Sequence, residues 1–287
     1  MSDWVPCTVH FLSKSLAERD CRWWPVSWAP PRAMHHGRTP HVTEIPAESE
    51  KAGFRSDVTV ELVKHSAADS DVLWAARVST AGEQSLEEIT KDPERSKGLI
   101  NFLMRDRHGS PFEHNSMTFF ISAPIFVFRE FMRHRVGWSY NEESGRYRRL
   151  EPVFYVPGEA RKLVQQGRPG KYEFVEGTAA QHELTGRVME DAYRHAYEAY
   201  QEMLAAGVAR EVARSVLPVG LFSSMYATCN ARSLMHFLGL RTQHEQAAVP
   251  SFPQREIEMV GEKMEAAWSR LMPLTHAAFN ANGRVAP

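Results

Sequence analysis

Residues 117–135 read MTFFISAPIFVFREFMRHR, and this segment is the most informative about the fold. The segment 117–122 is rich in aromatic and β-branched side chains, which indicates a strand. Pro124 then suits the first turn of a helix over 125–132, because an N–H at that position would have no partner within the helix. The helix runs directly into Arg133-His134-Arg135. The pattern therefore predicts a strand and a helix that deliver three potentially cationic side chains to one place.

The remainder of the chain adds a second strand and several helices. Apolar and polar positions alternate over 57–63, which indicates a half-buried strand. Thr178 is placed to cap a long amphipathic helix that stops at Gly207. Shorter helices are predicted over 210–216, 230–238 and 255–271, and a polar surface loop over 158–171. The predicted fold class is α+β, a single domain with a sheet and several long helices.

Composition is that of an ordinary globular protein. Of the 287 residues, 43% are apolar and 24% charged, so a large core can be buried. The net charge of -1 argues against nucleic-acid binding through overall positive charge. No apolar run approaches the roughly 18 residues that a membrane span needs, and the polar N-terminus does not resemble a secretory signal. We therefore predict a cytoplasmic protein that binds neither nucleic acid nor membrane.

Residues 1–53 differ in composition from the segment that begins at Phe54. Four of the seven tryptophans lie in this part, without clear periodicity. It is predicted to be an N-terminal extension, either poorly ordered or an arm that docks on a neighbouring subunit through its aromatic side chains. An upstream start codon, with initiation nearer Met34, is a further alternative. Residues 54–287 are predicted to form the functional domain.

Arginine is concentrated after the central helix. Within 133–149 there are five arginines and no lysine. The planar guanidinium binds oxyanions through paired hydrogen bonds, so this cluster favours phosphate recognition. In an extended segment, Arg133 and Arg135 would share one side, where an anion between them would relieve their repulsion. The alternative is an ion-pair network with Glu142 and Glu143.

Two further groups of polar residues each admit two interpretations. His108, Glu113 and His114 lie within HGSPFEH (108–114) and could form either a metal site or a turn that orients hydrogen-bonding groups; the intervening glycine and proline favour the turn. Arg232 lies in the apolar segment ATCNARSLMHF (227–237). An arginine is tolerated there only when it is paired, with a structural acid or with a bound phosphate.

The three cysteines, Cys7, Cys21 and Cys229, match neither a disulfide framework nor a zinc pattern. Cys229 lies in the same apolar segment, and no adjacent residue is suited to activate its thiol. We predict that it is a small buried hydrophobic side chain.

Five short motifs follow one another along the chain. They are AARVS (75–79), HGSPFEH (108–114), RHR with SYNEESGRY (133–135 and 139–147), REVAR (210–214) and NARSLMHFLGLR (230–241). In this order they resemble the motifs of the flavin-dependent thymidylate synthases, the ThyX family. The resemblance extends from about Phe54 to the C-terminus. It implies a central, mostly antiparallel sheet with long helices, assembled as a homotetramer whose sites are shared between subunits.

The resemblance also implies roles for individual residues. FAD is the implied cofactor, and its implied contacts are Ser79, His108, Ser110, Arg133, His134, Arg135, Glu142, Asn230, Arg232 and His236. A nucleotide monophosphate is implied to contact Glu130, Arg133, Ser144, Gly145, Arg146, Arg214 and Arg241, with Arg146 and Arg214 at its phosphate. Arg241 is the implied catalytic residue, because a cation beside N3 of uracil lowers the cost of negative charge on that nitrogen. No metal is implied.

The implied reaction is C5 methylation of dUMP to dTMP, with methylenetetrahydrofolate as carbon donor, NADPH as reductant and no cysteine nucleophile. Three positions depart from the family pattern. Eight residues separate Arg135 from Ser144, one more than usual, and the addition lies near Gly137-Trp138. Glu130 and His236 stand where glutamine and asparagine are common.

A carboxylate near the sugar or base could alter which nucleotide is accepted. Methylation of UMP, in secondary nucleoside metabolism, is therefore the alternative within the family. A nucleic-acid-binding protein that uses the arginine cluster and a metal-dependent hydrolase built on His108, Glu113 and His114 are the alternatives outside it.

Overall fold

The computed structural model describes residues 51–82, 85–168 and 171–287. Most of the predicted N-terminal extension, residues 1–50, lies outside this part, as do Cys7 and Cys21. The first described strand already includes Gly53, which pairs with Val153. Regular structure therefore begins at or before the last residue assigned to the extension.

A four-stranded antiparallel sheet forms the centre of the described chain, in the order β2-β3-β8-β4. A short parallel pair, β1-β5, and an antiparallel hairpin, β6-β7, lie apart from it. The strands are β1 (Gly53–Arg55), β2 (Thr59–Ser66), β3 (Ser116–Pro124), β4 (Trp138–Glu142), β5 (Val153–Tyr155), β6 (Val164–Arg168), β7 (Lys171–Val175) and β8 (Phe222–Cys229). The expectation of an antiparallel sheet combined with helices is confirmed.

The helices connect and cover these strands. They are α1 (Asp69–Ala81), α2 (Leu86–Thr90), α3 (Pro93–Arg105), α4 (Ile125–Phe131), α5 (Ala179–Ala205), α6 (Arg210–Ala213), α7 (Ala231–Arg241), α8 (Arg255–Leu271) and α9 (Pro273–Ala281), with 3-10 turns at Ser110–Glu113 and Arg214–Val216. In α5, the hydroxyl of Thr178 accepts the first-turn N–H of Gln181, as the predicted cap requires. Within the described residues no helix combines the length and the apolar character needed to cross a bilayer.

The main core lies on one face of the sheet. Alternate residues of β3 are fully buried, among them Phe119 and Ile121, while Phe120 and Ser122 on the other face are only half-buried. Phe237 of α7 and Trp268 of α8 complete the buried layer. Burying a large apolar side chain stabilises the fold by about 1.5–3 kcal/mol. The core therefore fixes α4 and α7, the two helices whose C-terminal ends carry Arg133 and Arg241.

Two local predictions were wrong. Pro124 is the last residue of β3 and the N-cap of α4, one position before the first turn in which it was expected. Its backbone is extended, with φ of -61° and ψ of 147°, which a proline adopts as readily as a helical conformation. The segment 158–171 is not wholly a loop, because Val164–Arg168 pairs with β7. Glutamine and glycine in that strand hid its pairing from a composition-based prediction.

Candidate active site

The Arg-His-Arg segment links two hydrogen-bonded turns, together called the Arg-His-Arg turn, and does not run in the uninterrupted extended conformation considered for it. His134 N–H donates to Phe131 O at 2.8 Å, and Trp138 N–H donates to Arg135 O at 3.4 Å. The hydrogen-bonded turns remove the strict alternation that was expected to align Arg133 with Arg135. Both arginines are nevertheless exposed, and neither forms an ion pair with any described residue.

The alternative ion-pair network with Glu142 and Glu143 does not include Arg133 or Arg135. Glu143 instead lies 3.4 Å from Arg148, measured from Oε2 to Nη1. Glu142 accepts a hydrogen bond from Ser223. The turn therefore presents two guanidinium groups whose charge no carboxylate of the described chain neutralises by direct contact.

His134, the middle residue of the Arg-His-Arg turn, contacts the end of α7. Nε of Arg241 donates to His134 Nε2 at 3.1 Å, and Nη1 of Arg241 binds the carboxylate of Glu130. Desolvation, with the positive charge of Arg241 and the nearby His236, lowers the pKa of His134 to about 4. The imidazole is therefore neutral at physiological pH. Because a guanidinium can only donate, Nε2 is the acceptor and the proton resides on Nδ1.

A cavity of about 400 Å³ opens beside this turn. Its floor is the first two turns of α7, and its walls are the Arg-His-Arg turn and the start of β4. The lining residues are Glu113, His134, Arg135, Val136, Gly137, Trp138, Asn230, Arg232, Ser233 and His236. Half of the ten residues predicted to contact the cofactor thus line one cavity, although they are separated by about 100 positions in the sequence.

Arg232 connects the cavity to the HGSPFEH segment. Its Nη1 pairs with Glu113, and its Nε donates to Pro287 O at 2.6 Å. A Cβ on Gly109 would lie 2.5 Å from the Arg232 Cζ, so a larger residue there would require the Arg232 side chain to move. The prediction that Arg232 must be paired is confirmed, and in this structure the partner is a structural acid.

His108 and Ser110 flank Gly109 and are exposed, but neither lines the cavity. Ser79 lies on the exposed face of α1, where its hydroxyl donates to Ala76 O at 3.1 Å. Ser79 is thus not among the predicted cofactor residues that line the cavity.

HGSPFEH contains a 3-10 turn at Ser110–Glu113 rather than a helix that could align its histidines. Glu113 is paired with Arg232, and His114 packs its ring against Trp74 with centroids 6.1 Å apart. Over the described ranges, no group of three or more His, Cys, Asp or Glu side chains is arranged to hold a metal ion.

The residues predicted to bind the nucleotide phosphate form a second cluster. Gly145 is buried against Arg214, whose Cδ would be 3.3 Å from a Cβ at position 145. Arg146 pairs with Glu211 of α6, Nε to Oε2, at 2.6 Å, with both side chains at least half exposed. Such an exposed pair contributes little and is easily exchanged for a stronger anion. Arg214 forms no ion pair within the described chain, and Ser144 accepts the Arg146 N–H at 3.3 Å.

Glu142 closes this second cluster at the end of β4. The hydroxyl of Ser223, a buried residue of β8, donates to Glu142 Oε1 at 2.9 Å. Desolvation raises the pKa of the Glu142 carboxyl group, Glu143 raises it further, and Ser223 and Arg214 oppose the shift. Glu142 therefore faces the nucleotide cluster in this structure and does not line the cavity predicted to include it.

The two groups of residues lie at opposite ends of β4. Trp138, the first residue of the strand, lines the cavity, and Glu142, the last, adjoins the arginine cluster. Four steps along a strand span about 14 Å. Within one chain, the arginine cluster beside Glu142 thus lies about 14 Å along the strand from the cavity wall at Trp138.

Cys229 is buried, with 2% of its surface exposed, and burial raises the pKa of its thiol well above the ordinary value. The prediction that it is a small buried hydrophobic residue is confirmed. A thiol in this state is a poor nucleophile.

Sequence reasoning did not assign several residues, some of them named for other reasons, to the two sites that they shape. Glu113, Val136, Trp138 and Ser233 line the cavity, and Ser223 and Glu211 adjoin the second cluster. Ser233 carried a usable signal, because it lies three residues after the helix cap Asn230 and is a buried polar residue on an otherwise apolar face. Ser223 carried none, because its contact with Glu142 is created only by strand pairing.

The chain is similar to known proteins over most of its length. The model of the family described as thymidylate synthase complementing protein matches residues 61–274. A flavin-dependent thymidylate synthase of Streptomyces avermitilis is 89% identical over 246 residues, which cover 86% of this chain and 100% of that protein. The flavin-dependent thymidylate synthase of Tropheryma whipplei (strain TW08/27) is 60% identical over 82% of this chain and 97% of its own length.

Solved structures agree with the sequence comparisons. The UMP/dUMP methylase PolB from Streptomyces cacaoi, bound with 5-Br dUMP, superposes with a TM-score of 0.77 at 57% identity, over 82% of this chain and 100% of that chain. The same methylase bound with 5-Br UMP gives a TM-score of 0.76 at 56% identity, over 82% of this chain and 99% of that chain.

These matches first define the class: an enzyme, a flavin-dependent methyltransferase. The chain belongs to the thymidylate synthase complementing protein family, the flavin-dependent thymidylate synthases. FAD, predicted as the cofactor, is confirmed by this membership, and NADPH and methylenetetrahydrofolate are the usual co-substrates of the family.

Proposed function

We propose that this enzyme methylates C5 of dUMP to give dTMP, with methylenetetrahydrofolate as carbon donor and NADPH as reductant. The observation that carries the proposal is the cavity beside the Arg-His-Arg turn, which gathers five predicted flavin contacts and adjoins Arg241 through His134. No cysteine nucleophile is required, and the buried thiol of Cys229 is unsuited to the role.

The chemistry of the cavity fits FAD. Arg135 and Arg232 supply cations for phosphate oxygens, and Asn230 and the imidazole of His236 supply neutral polar groups. The indole of Trp138 supplies an apolar wall for a planar ring. When bound, FAD supplies the redox chemistry by which the transferred carbon becomes a methyl group. The remaining contacts proposed by family resemblance are Ser79, His108, Ser110, Arg133 and Glu142.

The second cluster is proposed to hold the nucleotide phosphate. Arg214 is free of ion pairs in the described chain, and Arg146 is restrained only by the exposed Glu211. A phosphate can bind both guanidinium groups with charge-assisted hydrogen bonds that outcompete an exposed carboxylate. Ser144 and Gly145 are proposed to contact the nucleotide alongside them, and Glu130 and Arg133 to contact its sugar or base.

Arg241 is proposed to act on the uracil ring. Its side chain is four-fifths buried, at the C-terminal end of α7. A fixed cation in a partly desolvated site stabilises negative charge on N3 more strongly than it would in water. His134 remains neutral and accepts a hydrogen bond from Arg241, so it orients the guanidinium without adding a repelling charge.

The separation of the two clusters supports a site built from more than one subunit. The arginine cluster at the end of β4 lies about 14 Å along the strand from the cavity wall at Trp138, which leaves room between them for residues of a second subunit. Val212 and Val216, beside Arg214, are exposed apolar residues of the kind that subunit contacts cover. We therefore propose the homotetramer, with shared sites, that the family resemblance implies.

A second candidate is the same reaction on UMP. It is favoured by Glu130, whose carboxylate contacts Arg241 and could accept a hydrogen bond from an additional sugar hydroxyl. PolB, a relative 56% identical to this chain, is a UMP/dUMP methylase with a structure bound to 5-Br UMP. A cytoplasmic location stays a prediction.

One set of assays separates these possibilities. Purified protein should show flavin absorption that NADPH bleaches, and reoxidation in the presence of methylenetetrahydrofolate should require a nucleotide. With dUMP and UMP assayed in parallel, a higher kcat/KM for dUMP supports the first candidate, whereas a higher value for UMP replaces it with the second. Protein that binds no FAD would contradict both.

A further inference from the structure

The chain has one residue more than the family pattern near Gly137-Trp138. At this point Val136 and Gly137 form a second tight turn, which lines the cavity. Gly137 has a φ of +69°, a left-handed conformation that glycine adopts without strain. A Cβ at this position would lie 2.1 Å from Ser233 Oγ and 3.1 Å from Asn230 Nδ2. The turn is therefore pressed against the first turn of α7, and only a glycine permits this contact.

Ser233 fastens the two segments together. Its hydroxyl donates to Val136 O at 2.9 Å, across 97 positions of the sequence. Its backbone N–H donates to the side chain of Asn230, the cap of α7, at 2.9 Å. Ser233 itself is buried, with 6% of its surface exposed. One residue thus connects the added turn to the helix terminus that forms the floor of the cavity.

The turn determines where β4 begins and therefore where Trp138 lies. The indole stacks on Tyr140 with ring centroids 5.6 Å apart and planes 11° apart, and contacts Phe131 and Phe237. The Tyr140 hydroxyl lies 2.9 Å from His134 O, on the other side of the Arg-His-Arg turn. Trp138, which lines the cavity, is thus supported by a group of aromatic rings, and Gly137 and Ser233 fix the point at which its strand begins.

We propose that Ser233 is a positioning residue for the cofactor: by holding the Val136–Gly137 turn against α7, it keeps Trp138 and Arg135 at the spacing that a flavin requires. This inference rests on the proposed binding of FAD in this cavity. Ser233 acts through the turn, and Trp138 is the residue that would contact the planar ring.

The Ser233→Ala variant removes the hydroxyl and leaves the cavity walls unattached at this point. Loss of one such hydrogen bond corresponds to a roughly threefold to tenfold increase in the Kd of FAD. The visible circular dichroism of the bound flavin should change as well, because the wall against the ring has moved. Gly137→Ala should weaken FAD binding more, since it adds both a left-handed alanine and a collision with Ser233.

The double variant Gly137→Ala/Ser233→Ala gives the sharper comparison. Removing Oγ removes the collision, so the double variant should bind FAD more tightly than Gly137→Ala does alone. If the two substitutions damaged the structure independently, their effects on FAD binding would add, and the double variant would bind FAD more weakly than either single variant. Ser269→Ala is the control for loss of a serine hydroxyl outside the cavity, because Ser269 donates only a local, exposed bond to Ala266 O on α8 at 3.2 Å.

The measurement is titration of flavin-depleted protein with FAD, followed by flavin fluorescence and visible circular dichroism. A Kd for Ser233→Ala within twofold of that of Ser269→Ala would overturn the proposal, as would a double variant that binds no better than Gly137→Ala. If wild-type protein binds no FAD, the proposed function fails instead, so the two failures are distinguishable. Should Gly137→Ala not fold, the comparison of Ser233→Ala with Ser269→Ala still decides.

Discussion

Arg241 and Glu130 form an ion pair that joins the last turn of α7 to the last turn of α4. Both residues are predicted nucleotide contacts, and both side chains are less than one-third exposed. The proposed catalytic cation is therefore paired with a carboxylate of its own chain. A nucleotide that uses Arg241 must share it with Glu130 or displace that carboxylate.

Substitution of Glu130 tests this competition. Glu130→Gln removes the charge but keeps the shape, so Arg241 becomes more available and the KM for dUMP should fall by about twofold to fivefold, the range expected from breaking a partly exposed pair. Steady-state kinetics with dUMP and UMP measure the effect. Glu262→Gln, which breaks a pair with Arg255 on α8, is the control. A clear rise in KM would mean that the proposed contact of Glu130 with the nucleotide strengthens binding more than its pairing with Arg241 weakens it.

Arg214→Ala should raise the KM for dUMP by about tenfold to a hundredfold, because a charge-assisted hydrogen bond to phosphate contributes roughly 1.5–3 kcal/mol. FAD content should not change, because Arg214 is remote from the cavity. Arg210→Ala, one helical turn earlier and exposed, is the matched control. Loss of FAD with an unaltered KM for dUMP would mean that Arg214 binds the cofactor and not the nucleotide.

The neutral state of His134 predicts a dependence of stability on pH. Its pKa is lowered from 6.5 to about 4 in the folded chain, so the unfolded chain binds more protons between these values. The contribution to stability is complete above pH 6.5 and is lost as the pH falls toward 4. His236, whose pKa is also lowered, acts in the same direction.

Urea unfolding at pH 7 and pH 5 should therefore show a smaller drop in unfolding free energy for His134→Asn than for wild type. His65→Asn, an exposed substitution on β2, is the control. An identical drop in His134→Asn and wild type would contradict the assignment of a neutral imidazole.

The Arg284 side chain is buried, with 1% of its surface exposed, and it binds both carboxylate oxygens of Glu265 and the hydroxyl of Thr242. Arg284→Met should destabilise the fold by about 3–5 kcal/mol, because the Glu265 carboxylate loses its main buried partner. Urea unfolding measures the change. Arg270→Met, on the exposed side of α8, should change the free energy by less than about 0.5 kcal/mol.

Cys229→Ala tests the absence of a cysteine nucleophile. The variant should retain turnover, because the thiol is buried and protonated, and should lose about 1 kcal/mol of stability through a small cavity. Turnover and thermal unfolding are measured on the same preparation. Loss of turnover without loss of folded protein would show that Cys229 takes part in the chemistry.

Local patterns predicted the elements whose causes are local. The aromatic and β-branched run identified β3, the apolar periodicity and the Thr178 cap identified α5, and the buried environment of Cys229 followed from its apolar neighbours. The strand β6 was missed, because its only support is pairing with β7. The extended conformation considered for the Arg-His-Arg segment is not observed, because a hydrogen bond to the end of α4 bends the chain there.

The sequence by itself determined the family, the residue types available for a phosphate and a planar cofactor, and the identity of the partly buried arginines. Those features reside in motifs of a few consecutive residues, so their order along the chain is sufficient. Which side chains contact one another follows only from the tertiary structure. These contacts are Arg232 with Glu113, Glu142 with Ser223, and Arg241 with Glu130. Each of these contacts joins residues more than 80 positions apart, and their proximity depends on strand pairing and helix packing that no local pattern encodes.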